Sequence, residues 1–155
     1  MDTMVNVEDA VIDWEVVAKI DQSEATKPAP LDDELAAAQQ MISEVMGRVD
    51  TISTGALKKL IDDNADFVLL DVRTPGETRA ARIDAPQHLA ITRGWLEMKI
   101  FNHVIDKQTP IVTYCGVGIR SAFAAETLKE MGFTNVRNYE EGLSTWESKS
   151  YPVAR

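Results

Sequence analysis

The chain has 155 residues, 45% of them hydrophobic, which suits one folded domain with a short appendage. Its net charge of −9 at pH 7 argues against nucleic-acid binding, because that function needs a basic surface. A single cysteine excludes an internal disulfide and a cysteine-based metal site within one chain, and the two histidines lack the spacing of metal ligands. We therefore expect no metal site.

The excess negative charge lies in the first third of the chain. Residues 1–50 contain 12 Asp and Glu against 3 Lys and Arg, a balance of −9, whereas residues 51–155 contain 13 of each kind. This shift predicts an acidic, mostly helical extension over 1–50 and a globular domain over 51–155. The amino terminus lacks a basic leader with an apolar core, and no segment reaches membrane-spanning length, which indicates a cytoplasmic protein without membrane contact.

The extension contains one clear helical pattern. Residues 9–20 allow either a helix or a strand, and the Lys-Pro-Ala-Pro sequence at 27–30 reads as a linker. Over residues 31–49, apolar residues then recur at spacings of four and three, which predicts a helix. This helix either packs on its own domain or, because its apolar stripe is narrow, mediates a homodimer or binds a protein partner. The stripe consists of Leu31, Leu35, Ala38, Ile42, Val45 and Val49.

From residue 51 onward, strand and helix signals alternate. The strands are predicted at 67–72, 88–91, 111–114 and 135–139, and the helices from Thr54, over 121–131 with Gly132 closing it, and around Trp146. Such alternation predicts an α/β domain with a parallel sheet flanked by helices. Ligands of such sheets bind at the carboxyl ends of the strands, where Asp71 and Cys115 both lie.

The segment after strand 111–114 carries the clearest chemical signal. Cys115 opens a glycine-broken loop, Gly116-Val117-Gly118-Ile119, which leads through Arg120 and Ser121 into a helix. Backbone amides and the helix amino end favour an anion at such a junction, so the thiol should ionise readily and act as a nucleophile. Arg120 adds a permanent positive charge that suits an oxyanion or carboxylate.

The spacing from cysteine to arginine separates two kinds of chemistry. Protein tyrosine phosphatases and low-molecular-weight arsenate reductases place five residues between them, whereas four separate Cys115 from Arg120. The shorter loop fits one sulfur atom better than a phosphate. Tyr114 also stands where a tyrosine phosphatase has histidine. The spacing therefore favours sulfur chemistry over a small phosphatase or arsenate reductase.

Three segments resemble, in order and spacing, the signatures of the single-domain rhodaneses, a family of sulfurtransferases. They are residues 68–77, 110–121 and 136–146 with 151–153. The resemblance covers about residues 51–154 and implies a parallel five-stranded sheet with Cys115 as the nucleophile. It also implies that no metal and no cofactor are needed. It implies that Cys115 takes sulfur from thiosulfate or another persulfide and passes it, as a persulfide, to a thiol, cyanide or a sulfur-carrier protein. The alternative is a non-catalytic rhodanese-fold module that binds or regulates a partner.

The sequence departs from this family's pattern near the expected pocket. Thr78, Ala81 and Arg82 replace usual residues after Glu77, and segment 84–92 is longer than usual. The candidate pocket residues are Asp71, Arg73, Arg82 and Trp95. Asp71 is expected to stabilise the strand end, and Arg73 to form a structural ion pair with Glu77.

The interior of the loop is small and neutral. A less positive loop binds the thiosulfate dianion less well. We therefore expect modest activity with free thiosulfate, and a protein or low-molecular-weight persulfide as the donor.

Overall fold

The computed structural model describes residues 13, 15–16 and 32–155. Contacts divide the chain into two compact units, residues 1–38 and 39–155, and the second unit contains the sheet and the site. The predicted linker at 27–30, the first residue of the apolar stripe and most of segment 9–20 lie outside the described residues. None of the described helices has the length and hydropathy needed to cross a membrane.

Helices and strands alternate as the sequence predicts. The helices are α1 (Asp32–Arg48), α2 (Thr54–Asp62), α3 (Pro75–Ala80), α4 (Leu96–Lys99), α5 (Ile119–Glu130) and α6 (Gly142–Ser148). Two 3-10 turns, Arg93–Trp95 and Ile100–Asn102, flank α4. The strands are β1 (Val68–Asp71), β2 (Arg82–Ile83), β3 (His88–Ala90), β4 (Ile111–Tyr114), β5 (Val136–Asn138) and β6 (Val153–Ala154).

The main sheet is parallel, with strand order β3-β1-β4-β5. The predicted parallel sheet is thus confirmed, but over residues 32–155 it contains four strands rather than the five expected. At the β5 edge, Thr51 forms only an isolated parallel bridge to Asn138. In the segment between α1 and α2, two backbone hydrogen bonds join the chain to β5, from the Ile52 amide to the Asn138 carbonyl at 3.1 Å and from the Asn138 amide to the Asp50 carbonyl at 2.8 Å, which makes one bridge and no ladder. Strands β2 and β6 form a separate antiparallel pair, which was not predicted because two residues carry no readable alternation.

Side-chain alternation along the strands builds two cores on opposite faces of the sheet. Leu69 and Val112 point into one core, together with Trp146 of α6. Their neighbours in the strands, Leu70 and Ile111, point into the other core, against α5. The sheet is therefore buried on both faces, as a continuous apolar strand such as β1 predicts.

Helix α1 joins the core through its second half. Val45 and Val49 are buried in the same cluster as Leu70, whereas Met41 is 60% exposed. Arg48 also pairs with Glu126 of α5 at 2.9 Å. These contacts favour the prediction that this helix packs on its own domain, and a dimer or partner role stays a prediction.

Helix α2 begins at Thr54, the residue from which the sequence predicts a helix. Ser53, not Thr54, is the N-cap, and its side chain accepts a hydrogen bond from the Ala56 amide at 3.2 Å. Thr54 is instead buried, and its hydroxyl donates to Glu141 at 2.7 Å and lies 2.8 Å from the Tyr139 hydroxyl. These two hydrogen bonds satisfy the buried Thr54 hydroxyl and join α2 to the segment between β5 and α6.

Candidate active site

Cys115 lies at a strand–loop–helix junction, as the sequence predicts. Strand β4 ends at Tyr114, and α5 begins at Ile119, two residues earlier than predicted. The Gly118 amide donates to Cys115 Sγ at 3.1 Å, and the Ser121 hydroxyl donates to it at 3.4 Å. Cys115 is only 1% exposed. The thiol is therefore held by donors at the bottom of the loop rather than on its surface.

Two opposing effects act on the pKa of the Cys115 thiol. Burial raises the pKa, while hydrogen bonds from the Ser121 hydroxyl and from the amides of Ser121, Val117 and Gly118 lower it. The hydrogen bonds outweigh burial, so the pKa lies below that of an ordinary thiol. A lowered pKa makes the thiolate, which is the nucleophilic form, available closer to neutral pH.

This direction gives a testable pH dependence. The rate of iodoacetamide alkylation should fall as the pH is lowered. The midpoint of this fall should lie at a lower pH for Cys115 than for free cysteine, because the Cys115 thiolate persists to lower pH. Ser121→Ala removes one donor to the sulfur and should shift the midpoint of this profile upward. Intact mass against time at each pH measures the rate. A midpoint at or above that of free cysteine would contradict the assignment.

Two glycines allow the loop to close around the thiol. Gly118 has φ of 87°, and a Cβ there would overlap the carbonyl of Glu140. Gly142 has φ of 69°, and a Cβ there would overlap the carbonyl of Gly116. Only glycine adopts these backbone angles without strain and leaves room for the neighbouring carbonyl.

Residues outside the loop fix its backbone. Asn138 Nδ2 donates to the Gly118 carbonyl at 3.1 Å, and the Leu143 and Ser144 amides donate to the carbonyls of Cys115 and Gly116 at 2.9 and 3.1 Å. The sequence did not identify Asn138 or Gly142 as part of the site. These contacts join distant segments, and no local pattern reports them.

Arg120 is held by an acid from α3. Its guanidinium binds both Glu77 carboxylate oxygens, at 2.8 and 2.9 Å. The Arg120 guanidinium lowers the pKa of Glu77 to about 2, despite the opposing effect of burial, with support from Thr74. Glu77 is therefore ionised over the whole neutral range, where its negative charge opposes that of Arg120.

The predicted ion pair between Arg73 and Glu77 is wrong. Arg73 instead binds Asp71, with Arg73 Nη2 to Asp71 Oδ2 at 2.8 Å and Arg73 Nε to Asp71 Oδ1 at 3.0 Å. A spacing of four residues pairs side chains only within a helix, and Arg73 precedes Thr74, the N-cap of α3. The capping box between Thr74 and Glu77 was the readable signal that Glu77 faces the helix start.

Asp71 is fully buried at the end of β1, and its role in stabilising the strand end stays a prediction. Its Oδ2 also accepts hydrogen bonds from the hydroxyls of Thr78 at 2.9 Å and Tyr114 at 3.0 Å. His88 Nε2 lies 2.7 Å from that Tyr114 hydroxyl. This network fixes Tyr114, the residue directly before the thiol.

The other candidate pocket residues do not all lie together. Arg73 and Trp95 line adjoining cavities at the carboxyl ends of β1 and β3. Arg82 lies in β2, where it pairs with Ala154, and lines neither cavity. Within the described part of the chain, no group of three or more His, Cys, Asp or Glu residues is placed to hold a metal ion.

Comparison with known proteins gives a consistent result. A family model described as the rhodanese-like domain matches residues 53–149. A putative sulfurtransferase of Bacillus subtilis, YtwF, is 35% identical over 104 residues, which cover 67% of this chain and 96% of that protein.

Two solved structures are similar to this fold. The polysulfide-sulfur transferase homodimer of Wolinella succinogenes has a TM-score of 0.70 at 27% identity, covering 81% of this chain and 93% of that one. A protein of unknown function from Rhodopseudomonas palustris, described as a possible tyrosine phosphatase, has a TM-score of 0.64 at 30% identity, covering 75% and 92%.

Proposed function

This chain belongs to the rhodanese-like domain family, and we propose that it is a sulfurtransferase that carries sulfane sulfur as a persulfide on Cys115. The observation that carries the proposal is the hydrogen bond from the Gly118 amide to Cys115 Sγ at 3.1 Å, within a loop of four residues. That donor stabilises a sulfur anion, and the short loop leaves little room for a tetrahedral phosphate. The names of the Bacillus sulfurtransferase and of the Wolinella polysulfide-sulfur transferase support the same chemistry.

The proposed reaction has two steps through one covalent intermediate. The Cys115 thiolate attacks the outer sulfur of the donor, and the bond from that sulfur to the rest of the donor breaks. The leaving group, sulfite or a thiolate, departs with the bonding electrons, and a cysteine persulfide anion remains. An acceptor thiolate or cyanide then attacks the outer sulfur and restores the Cys115 thiolate. No net oxidation or reduction of the protein occurs.

The electrostatics of the loop favour a persulfide over free thiosulfate as the donor. Arg120 is the one charged residue from 116 to 121, and its guanidinium donates to both oxygens of the Glu77 carboxylate. The exposed residues of the loop, Val117 and Ile119, are apolar. A dianion approaching Cys115 therefore gains little from the arginine.

Releasing Arg120 should improve the use of thiosulfate. Glu77→Gln removes the carboxylate charge while keeping a capping-box residue at this position of α3. We expect kcat/KM for thiosulfate to rise by about tenfold, which corresponds to about 1.4 kcal/mol. Steady-state assays with cyanide as the acceptor measure this change.

A monoanionic donor provides the control for Glu77→Gln. Toluenethiosulfonate carries half the charge of thiosulfate and should gain less from the freed arginine. The melting temperature tests whether the cap survives. An unchanged or reduced kcat/KM for thiosulfate in a folded variant would show that Glu77 does not limit anion binding.

The function itself is tested by loading the protein with sulfur. The full chain is incubated with polysulfide or thiosulfate, its intact mass is recorded, and cyanide is then added. Gain of one sulfur atom, followed by its loss and the appearance of thiocyanate, is the expected result. Protein alkylated beforehand with iodoacetamide is the control, because Cys115 is the only cysteine in the sequence.

The other outcomes distinguish the alternatives. No gain of sulfur with any donor contradicts the proposal and favours a partner-binding module. Turnover of a phosphate or arsenate ester without sulfur loading would favour a phosphatase or arsenate reductase instead.

A further inference from the structure

A groove lies at the carboxyl ends of β1 and β3. It consists of two adjoining cavities, of about 250 and 310 Å³, which share Pro75, Ala90 and Thr92. Arg79 lines the first cavity, and Trp95 and Lys99 line the second. We refer to the two together as the Arg79–Lys99 groove.

The groove is positively charged on an otherwise acidic protein. No Asp or Glu is among its described lining residues, although the chain contains 25 acids against 16 Lys and Arg. Arg73 at its floor is already paired with Asp71. Over residues 32–155, neither Arg79 nor Lys99 forms an ion pair with a carboxylate. These two cations therefore remain available for an anionic ligand.

The groove also offers an apolar surface beside its charges. Trp95 is 52% exposed, and the Lys99 ammonium lies 5.1 Å from the centroid of its ring. An exposed indole covers the aliphatic part of a ligand, while the cations hold its charged ends. This combination suits a small organic anion better than an inorganic one.

The groove lies at the same edge of the sheet as Cys115, where β1, β3 and β4 all end. Asp71 of β1 pairs in register with Ala90 of β3 on one side and with Tyr114 of β4 on the other. Neighbouring strands are about 4.8 Å apart, so Ala90 is about 10 Å from Tyr114. Helix α3 connects the two places, because Thr78 lines the groove and Glu77 binds Arg120 of the loop.

We propose that the Arg79–Lys99 groove binds the carboxylates of a small thiol, or of its persulfide, while the sulfur of that molecule reaches Cys115. The proposal rests on the proposed function and names its substrate class. A peptide-like thiol fits, because about three extended residues span 10 Å. The transfer is balanced: the acceptor thiolate attacks the outer sulfur of the Cys115 persulfide, the S–S bond to Cys115 breaks, and the acceptor leaves as a persulfide anion.

Glutathione and its diethyl ester test this proposal as a matched pair of acceptors, because esterification removes the carboxylate charges and keeps the thiol. The full chain is loaded with sulfur, and the rate of discharge is measured by intact mass. We expect the double variant Arg79→Gln/Lys99→Gln to discharge to glutathione about three- to tenfold less efficiently, mainly through KM, and to the ester unchanged. Lys149→Gln, an exposed cation at the end of α6, is the control.

Each outcome separates the groove from the function. If the protein does not load with sulfur, the proposed function fails. If it loads but glutathione and the ester discharge it equally, or the double variant equals wild type with both, the groove proposal is overturned. As a second measurement, S-methylglutathione titrated into Cys115→Ser should shift the Trp95 indole NMR signal, and Arg79→Gln/Lys99→Gln should weaken that binding.

Discussion

Cys115→Ser should abolish sulfur loading and lower thiosulfate:cyanide turnover by at least about 10³-fold, because a serine hydroxyl is hardly ionised near neutral pH and forms no persulfide. The fold should persist. Serine is slightly smaller than cysteine, and its hydroxyl has the Gly118 amide and the Ser121 hydroxyl as neighbours. We expect the free energy of unfolding to fall by only about 1 kcal/mol. Intact mass, thiocyanate formation and urea unfolding measure the three quantities.

Ser121→Ala is a suitable companion to this variant. It leaves the nucleophile in place and removes only one donor to the sulfur. It should load sulfur more slowly at low pH but reach the same extent at high pH. Sulfur loading that survived in Cys115→Ser would show that the sulfur is bound without a covalent bond to this residue.

Asp71→Ala should cause the largest loss of stability. The change leaves the Arg73 guanidinium, whose side chain is 4% exposed, without its carboxylate, and it removes the acceptor of the Tyr114 and Thr78 hydroxyls. Breaking a buried ion pair by removing one partner costs about 3–5 kcal/mol. Urea unfolding followed by circular dichroism measures the change. A loss below about 1 kcal/mol would mean that water reaches Arg73.

The double variant Asp71→Ala/Arg73→Met distinguishes the stranded charge from the lost packing. Because it removes both charges, it should be more stable than Asp71→Ala alone. A double variant as unstable as the single one would place the cost in the hydroxyl network around Tyr114 instead.

Acid should act on the same pair in a defined direction. Burial raises the pKa of Asp71, but hydrogen bonds from His88 and Arg73 outweigh it and hold the pKa well below its usual range. A carboxyl whose pKa is lower in the folded protein stabilises the fold above its unfolded pKa, and this stability is lost as the pH falls through the folded value. Asp71→Asn should therefore lose less stability than wild type on acidification.

The sequence predicted the features that depend on short segments. The apolar run that ends at Asp71, the strand before Cys115 and the glycine-broken loop after it each carry a local pattern. The structure has a strand, a loop and a helix start at these positions. The lack of charge in residues 116–119 could also be predicted, because it follows directly from the sequence of that segment.

Features that depend on contacts between distant segments could not be read in this way. His88 and Tyr114 meet across the strand that separates β3 from β4, although they are 26 positions apart in the chain. The error over Arg73 has a related cause. The turn at the end of β1 directs its side chain back to Asp71, and no spacing rule reports such a turn.

The single cysteine also has a consequence for timing. Within one protein, a second thiolate discharges a persulfide by attacking its inner sulfur, which forms a disulfide and releases hydrogen sulfide. No second thiol exists in this sequence, and Cys115 itself is buried. A sulfur atom on Cys115 would therefore remain until an external acceptor removes it. The lifetime of the persulfide would depend on the concentration of acceptors. In that sense the protein would act as a reservoir whose filling reflects the balance between sulfur donors and consumers around it.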